Sequence, residues 1–252
     1  MRFARPIIIV AGLGLVWALL VWALEIPRFI LPGPHLVLEA WWENFWHLMY
    51  HAQFTAIEII GGLALGAGLG TGTALTMAYF SGARRWLLPV LVASQAIPVF
   101  TLAPILVLWL GYGMASKIAM AMLIIYFPVT AAFFDGLRRT DPGWLDLARV
   151  MGGSRWAMLT TIRIPAALPA LASGLRVAAA VAPIGAVVGE WVGSSVGLGH
   201  LMLHSNARVQ VPLMFAALFT LILLSLALYY TVDAVLRRAL AWQPESNPAD
   251  DR

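Results

Sequence analysis

The chain has 252 residues, 61% of them hydrophobic and 11% charged, with a formal net charge of +4. A soluble domain carries about 25% charged residues, so this composition excludes an ordinary soluble fold. It marks an integral membrane protein whose few charges belong to loops, helix ends and function. The basic residues are almost all arginines at segment ends, which argues against nucleic acid as a partner, and the lack of cysteine removes disulfides, thiol catalysis and thiolate metal sites.

Crossing the hydrocarbon core takes about 20 apolar residues. Six stretches qualify: 6–24, 55–80, 86–110, 118–134, 170–191 and 213–232. The predicted fold is an all-α polytopic membrane protein with six transmembrane helices. Residues 1–53 hold the first helix and an external segment, 54–238 a core of five helices with a polar loop at 138–169, and 239–252 a tail.

The N-terminus places Arg2 and Arg5 before an apolar run, as a signal peptide does. That run is long enough to span and no small-x-small cleavage site follows, so it reads as a retained first helix. The external segment carries Trp41, Trp42, Trp46 and Tyr50, the composition of an aromatic helix lying along the membrane surface. The second span has Gly62, Gly66 and Gly70 at four-residue spacing, repeated by Gly68 and Gly72. Small residues on one face let helix backbones approach closely in lipid; packing within the subunit is the plainer reading and a homodimer seam the other.

Pro98 and Pro104 predict a kink or break in the third span. Gln95, beside that break, either lines a path and hydrogen-bonds a polar solute or bridges two helices. Next comes the polar island. Asp141-Pro142 suits an N-cap and first-turn proline, residues 146–151 read as a short helix, and Gly152-Gly153 ends it. Ser154 caps a second short helix at 155–162, and Pro165 and Pro169 lead into the fifth span. The alternative is a plain solvated loop at a membrane boundary.

In the fifth span, Glu190 sits near the outer end, either as a gate or pathway group or as a carboxylate reaching the headgroups. Arg176 lies about 21 Å away along the helix and is expected to snorkel to the interface. His47/His51 and His200/His204 have the i, i+4 spacing of a metal pair, but neither has the glutamate of His-Glu-x-x-His, so interfacial histidines are expected and no metal site. The end of the chain, 243–252, is polar and reads as disordered.

Thirteen basic residues fall on one side of this arrangement, and three (Arg28, Lys117 and Arg208) on the other. The positive-inside rule then puts both termini and the island in the cytoplasm. No Gly-x4-Gly-Lys-Ser/Thr occurs, so this chain does not hydrolyse ATP; no Gly-x-Ser-x-Gly supports serine catalysis. No internal repeat is evident, which argues against an inverted-repeat secondary transporter.

The island resembles the loop of ATP-binding-cassette importer permeases: Glu-Ala-Ala, three residues, Gly, nine residues, Ile-x-Leu-Pro. Asp146, Leu147 and Ala148 stand at the first three positions, Gly152 at the glycine, and Ile162, Ile164 and Pro165 at the close. Asp for Glu, Leu for Ala and Ile for Leu are the departures. Around 95–113, and again at Gly189-Glu190-Trp191-Val192-Gly193 and Gly197-Leu198-Gly199, the chain is similar to permeases for nitrate, sulfonates, taurine and thiamine-precursor pyrimidines. Leu201-Met202-Leu203-His204 makes it most similar to the hydroxymethylpyrimidine type.

The resemblance implies that the loop forms coupling helices seated in a cleft of a separate ATPase, with Asp146 and Arg155 offering charge and Ala148 and Gly152 close approach. It also implies a homodimer in the bacterial inner membrane, two cytoplasmic ATPases holding ATP and Mg, an extracytoplasmic solute-binding protein, and no cofactor on this chain. The expected function is inward transport of a small polar solute by alternating access. The alternatives are a sulfonate, taurine or nitrate permease and, in a different class, an ATP-independent transporter or channel.

Overall fold

In lipid every backbone N–H and C=O has to be satisfied within the protein, and a helix does this segment by segment. The computed structural model describes residues 4–243, and the regular structure there is all helical. The expectations for Arg2, Arg252 and the tail beyond 243 lie outside the described residues. In chain order the helices are α1 (Ala4–Ala23), α2 (Pro34–Glu43), α3 (Phe45–Tyr79), α4 (Ser81–Ser94), α5 (Val99–Leu110), α6 (Met114–Arg138), α7 (Pro142–Val150), α8 (Arg155–Met158), α9 (Ile164–Gly193), α10 (Leu198–Ala207) and α11 (Val211–Ala239).

Four helical stretches are long and apolar enough to cross a membrane: α3, α6, Arg155–Gly193 and α11. The α4–α5 pair passes as a fifth, bent by 103°. The break falls before Pro98, which caps α5, while Pro89 and Pro104 sit inside helices that continue past them. Within α1 the apolar stretch is shorter, Ala11–Ala23.

Two boundaries differ from the sequence expectation. Residues 45–53 are the first turns of α3, not part of a surface helix, because Leu48, His51 and Thr55 form one buried face that continues into the span. The surface segment reduces to α2, and even there Trp41 turns inward and donates from Nε1 to Thr220 Oγ1 on α11 at 3.1 Å. The second helix of the polar island is not separate either. A π-helical turn at Leu159–Arg163 joins α8 to α9. Pro165 has no N–H to give the preceding turn, and the wider π turn carries the helix past it.

At the centre α6 lies between α3 and α9. Ala121 is fully buried there. A Cβ at Gly62 would come to 2.4 Å of the Ala121 Cβ, and one at Gly185 to 2.5 Å of its Cα. Those two glycines let three helix backbones meet without a hydrophobic driving force. Gly66 and Gly70 extend the contact along α6, whereas Gly68 and Gly72 face open space. Ile59, Ile125, Val129 and Ala178 fill the middle of the bundle, and Met77, Phe133, Phe134 and Leu137 one end.

Candidate functional site

The polar island is built as its local chemistry dictates. The Asp141 side chain accepts from Gly143 N at 2.7 Å with Pro142 in the first turn of α7. Gly152 adopts φ +78, the left-handed conformation that ends a helix at little cost to glycine. Ser154 then caps α8 through Ala157 N at 3.1 Å. Asp146 pairs with Arg149 one turn on, both exposed. Leu147, Val150 and Met151 are 62%, 87% and 78% exposed and form an apolar face of the loop.

Two hollows flank this loop. One, of about 450 Å³, is apolar and lined by Trp144, Leu147, Ala148, Met151, Ile162, Pro165 and Trp242 among others. The other, of about 400 Å³, is basic and lined by Arg149, Arg155 and Arg163 with Tyr79. Arg163 ties the loop to the bundle: its guanidinium donates to Leu137 O at 2.9 Å and to Ala78 O at 3.2 Å. Of the expected loop residues, Ala148, Ile162 and Pro165 gather at the apolar hollow, Arg155 at the basic one, and Ile164 packs into the bundle end.

The opposite end of the bundle holds a buried polar cluster. Glu190 is 1% exposed. Its Oε1 accepts from Thr55 Oγ1 at 2.6 Å, and its Oε2 accepts from Gly199 N and, at 3.3 Å, from His200 N. Thr55 Oγ1 in turn accepts from Leu198 N at 2.8 Å, and His51 Nδ1 accepts from Gly197 N at 2.9 Å. Four successive backbone N–H groups, at 197–200, are thus held by side chains of α3 and α9. The carboxylate fits because Gly197 has no Cβ, which would lie 2.2 Å from Glu190 Cδ, and because its φ is +109. Within the subunit Glu190 clasps the turn that leads into α10.

Glu58 and Lys117 complete the cluster. They are 0% and 3% exposed, with Lys117 Nζ 3.6 Å from Glu58 Oε1. Sequence reasoning placed Lys117 in an external loop; its ammonium is instead inside, because α6 begins at Met114 and turns it toward α3. Glu58 was not singled out, although a lone acid inside an apolar run is a signal of its own. Arg176 also differs from expectation: it does not snorkel but donates from Nε to Asp233 Oδ1 at 2.7 Å.

The two histidine pairs come together. His51 stacks on His200 at 6.2 Å between ring centroids, flanked by His47 at 4.7 Å and His204 at 5.5 Å. Among the described residues no three His, Asp or Glu side chains converge as a metal set. Burial, reinforced by His204 and Lys117 and opposed by a backbone hydrogen bond at Ser194, holds the His200 imidazole below its usual range. Gln95 stands exposed at the C-cap of α4, in the α4–α5 break.

A multi-pass helical bundle that clasps one end internally and presents an apolar, arginine-flanked loop at the other has the build of a transport subunit. The chain belongs to the family of binding-protein-dependent transport system inner membrane components, whose model matches residues 62–240. It is an ABC transporter permease subunit, a transport component of the membrane and not an enzyme. A probable ABC transporter permease protein of Haemophilus influenzae is 53% identical, covering 94% of this chain and 97% of its own. The riboflavin transport system permease protein RibX of Chloroflexus aurantiacus is 36% identical over 86% of this chain and 82% of its own. The formylaminopyrimidine transport permease protein ThiX of Halalkalibacterium halodurans is 35% identical over 85% and 86%. A solved chain of the MetNI methionine ABC transporter shares the fold, with a TM-score of 0.59 at 18% identity over 82% of this chain and 97% of that one.

Proposed function

We propose that this permease forms the membrane path of an ATP-driven importer that carries a thiamine-precursor pyrimidine inward by alternating access. The observation that carries the reading is the loop at 141–165, where Leu147, Val150 and Met151 stand exposed beside an apolar hollow ending at Pro165. An exposed apolar patch rimmed by charge is an interaction surface, and its occupant is a separate ATPase subunit. On this reading both termini and the loop 138–169 are cytoplasmic, and six helices cross the inner membrane, with α4 and α5 counting as one. Residues 54–238 are the transport core, 1–53 the first transmembrane helix and an external interfacial segment, and 239–252 a cytoplasmic tail.

Two copies of the chain pair, two ATPases hold ATP and Mg, and a solute-binding protein docks at the end that carries α10. Closure of the ATPases moves the helices as rigid bodies. Asp146, Ala148, Gly152 and Arg155 form the docking loop, with Ile162, Ile164 and Pro165 anchoring it. Gln95, exposed in the α4–α5 break, lines the path; Glu190 anchors the outer turn.

The likeness to ThiX supports a pyrimidine. The likeness to RibX favours riboflavin as the second reading, and sulfonate, taurine or nitrate follows from sequence resemblance. The experiment is uptake of a labelled aminopyrimidine by cells with and without this gene, with riboflavin, taurine and nitrate as competitors. Gene-dependent, energy-dependent uptake blocked only by pyrimidines is expected. Uptake abolished by riboflavin instead moves the solute to that class, and gene-dependent uptake that survives deletion of 146–165 overturns the ATP-driven mechanism.

A further inference from the structure

The basic hollow of about 400 Å³ lies where three helical segments end or begin: α3 at Tyr79, α4 at Ser81 and the Arg155–Gly193 run at Arg155. Among the described residues its lining holds Arg149, Arg155 and Arg163 and no carboxylate. Arg149 pairs with Asp146. Arg155 and Arg163 take part in no ion pair among the described residues. Arg163 is fixed by its donation to Leu137 O and Ala78 O, so it supplies charge more than free donors. Like charges gathered in this way repel one another, and an anion among them relieves the repulsion. The neighbouring side chains fix the depth. Tyr79 meets Trp156 edge-on at 5.8 Å, and Phe80, Trp86 and Trp156 are exposed. Aromatic side chains at the end of an apolar span mark the headgroup level of a bilayer. From Ser81 onward α4 carries Trp86 and Val90, both exposed and one turn apart on one face, an apolar track leading away from the hollow.

We propose that this hollow binds the phosphate headgroup of an anionic phospholipid, with Arg149 and Arg155 donating to its oxygens and Arg163 lending charge from the bundle side. Guanidinium forks match phosphate oxygens in pairs, and basic pockets between transmembrane helices hold such headgroups. The acyl chains lie along the exposed apolar face of α4. The bound lipid ties α7 and α8 to the ends of α3 and α4 and so steadies the loop. Arg155 lines this hollow and not the apolar one, so the lipid and an ATPase subunit approach different flanks of the loop. The site depends on the chain's place in the membrane, and neither on the solute carried nor on ATPase docking.

The test is native mass spectrometry of the full chain, purified in detergent and supplied with phosphatidylglycerol, phosphatidylcholine or inorganic phosphate. The wild-type chain should retain one phosphatidylglycerol under conditions that strip phosphatidylcholine. Arg149→Gln combined with Arg155→Gln should weaken that retention on the order of tenfold, and Arg208→Gln, at the α10 end, should leave it unchanged. Arg149 and Arg155 are exposed, so the double variant should keep the lipid-free melting temperature of the wild type. Should it lose its fold, Arg155→Gln alone, which breaks no ion pair among the described residues, carries the same comparison. Equal retention of the two lipids overturns the proposal, as does phosphatidylglycerol retention untouched by the arginine variants. Inorganic phosphate that displaces phosphatidylglycerol at equal concentration makes the hollow a site for free anions and overturns the lipid assignment.

Discussion

Arg176 Nε donates to Asp233 Oδ1 at 2.7 Å, joining the middle of α9 to the last turns of α11. Asp233 also accepts from Arg237 on its own helix at 2.8 Å. Charges inside a transmembrane bundle are tolerated when they pair across helices. Arg176→Asp and Asp233→Arg should each lower the melting temperature of the purified chain, and the two together should recover part of the loss. Thermal melts followed by size-exclusion chromatography check this. A double variant no better than the worse single one would mean that the two residues act independently.

Gly185 and Gly68 make opposite predictions for the same substitution. Alanine is the better helix former by about 1 kcal/mol, so Gly68→Ala, whose new methyl meets nothing within 4 Å, should leave stability unchanged or raise it. Gly185→Ala puts a methyl 2.5 Å from the Ala121 Cα. Overpacking of this kind costs about 1–3 kcal/mol, enough to reverse the sign. Equal melting temperatures for the two variants would disprove the close approach of α9 to α6.

At Gly152 the strain is in the backbone alone, since its Cβ would meet no atom within 4 Å while φ is +78. A non-glycine residue there costs about 1–2 kcal/mol, spread over a loop with few contacts. Gly152→Ala should therefore lower stability by no more than that amount yet misdirect α7. Uptake should fall several-fold and ATPase co-purification should weaken. Full uptake by Gly152→Ala would show that the angle between α7 and α8 is not critical.

His200 gives stability a definite pH dependence. Its folded-state affinity for protons is depressed below the ordinary value of 6.5, first by burial and then by His204. Between that value and the folded one, the unfolded chain binds a proton that the folded chain refuses. Stability is therefore complete above about pH 6.5 and declines as pH falls below it. His200→Gln should flatten the melting temperature between pH 7 and pH 5 relative to wild type. An identical slope in both would assign the effect to other groups.

Local chemistry made the loop legible. Asp141-Pro142, Gly152 and Ser154 each act within four residues of themselves, so their types and order were enough to place the caps. The start of α3 at Phe45 was not readable from the apolar-run rule, which measures the thickness of lipid and not the length of a helix. Leu48 and His51 prolong the helix because they face α10 and α11, a tertiary reason. The cluster at Glu190 was hidden for the same cause: Thr55 bonds to it across 135 positions of sequence. Glu58 and Lys117 look unrelated until α3 and α6 lie side by side. The arginine pattern was legible as a gradient, but it did not disclose that Arg163 grips two carbonyls of the bundle end.

The unbroken helical run Arg155–Gly193 contains 39 residues, about 58 Å at 1.5 Å each. It starts at the exposed loop and stops three residues past Glu190. A column of that length links the loop to the turn that Glu190 holds without leaving one chain of helical hydrogen bonds. Its irregularities are the π turn at Leu159–Arg163, close to the foot, and Pro169 and Pro183 above it, each of which withholds one N–H from the helix. If the loop is displaced, those three places are where the column is expected to bend, and the stretch beyond Pro183 that carries Glu190 is expected to move as one piece.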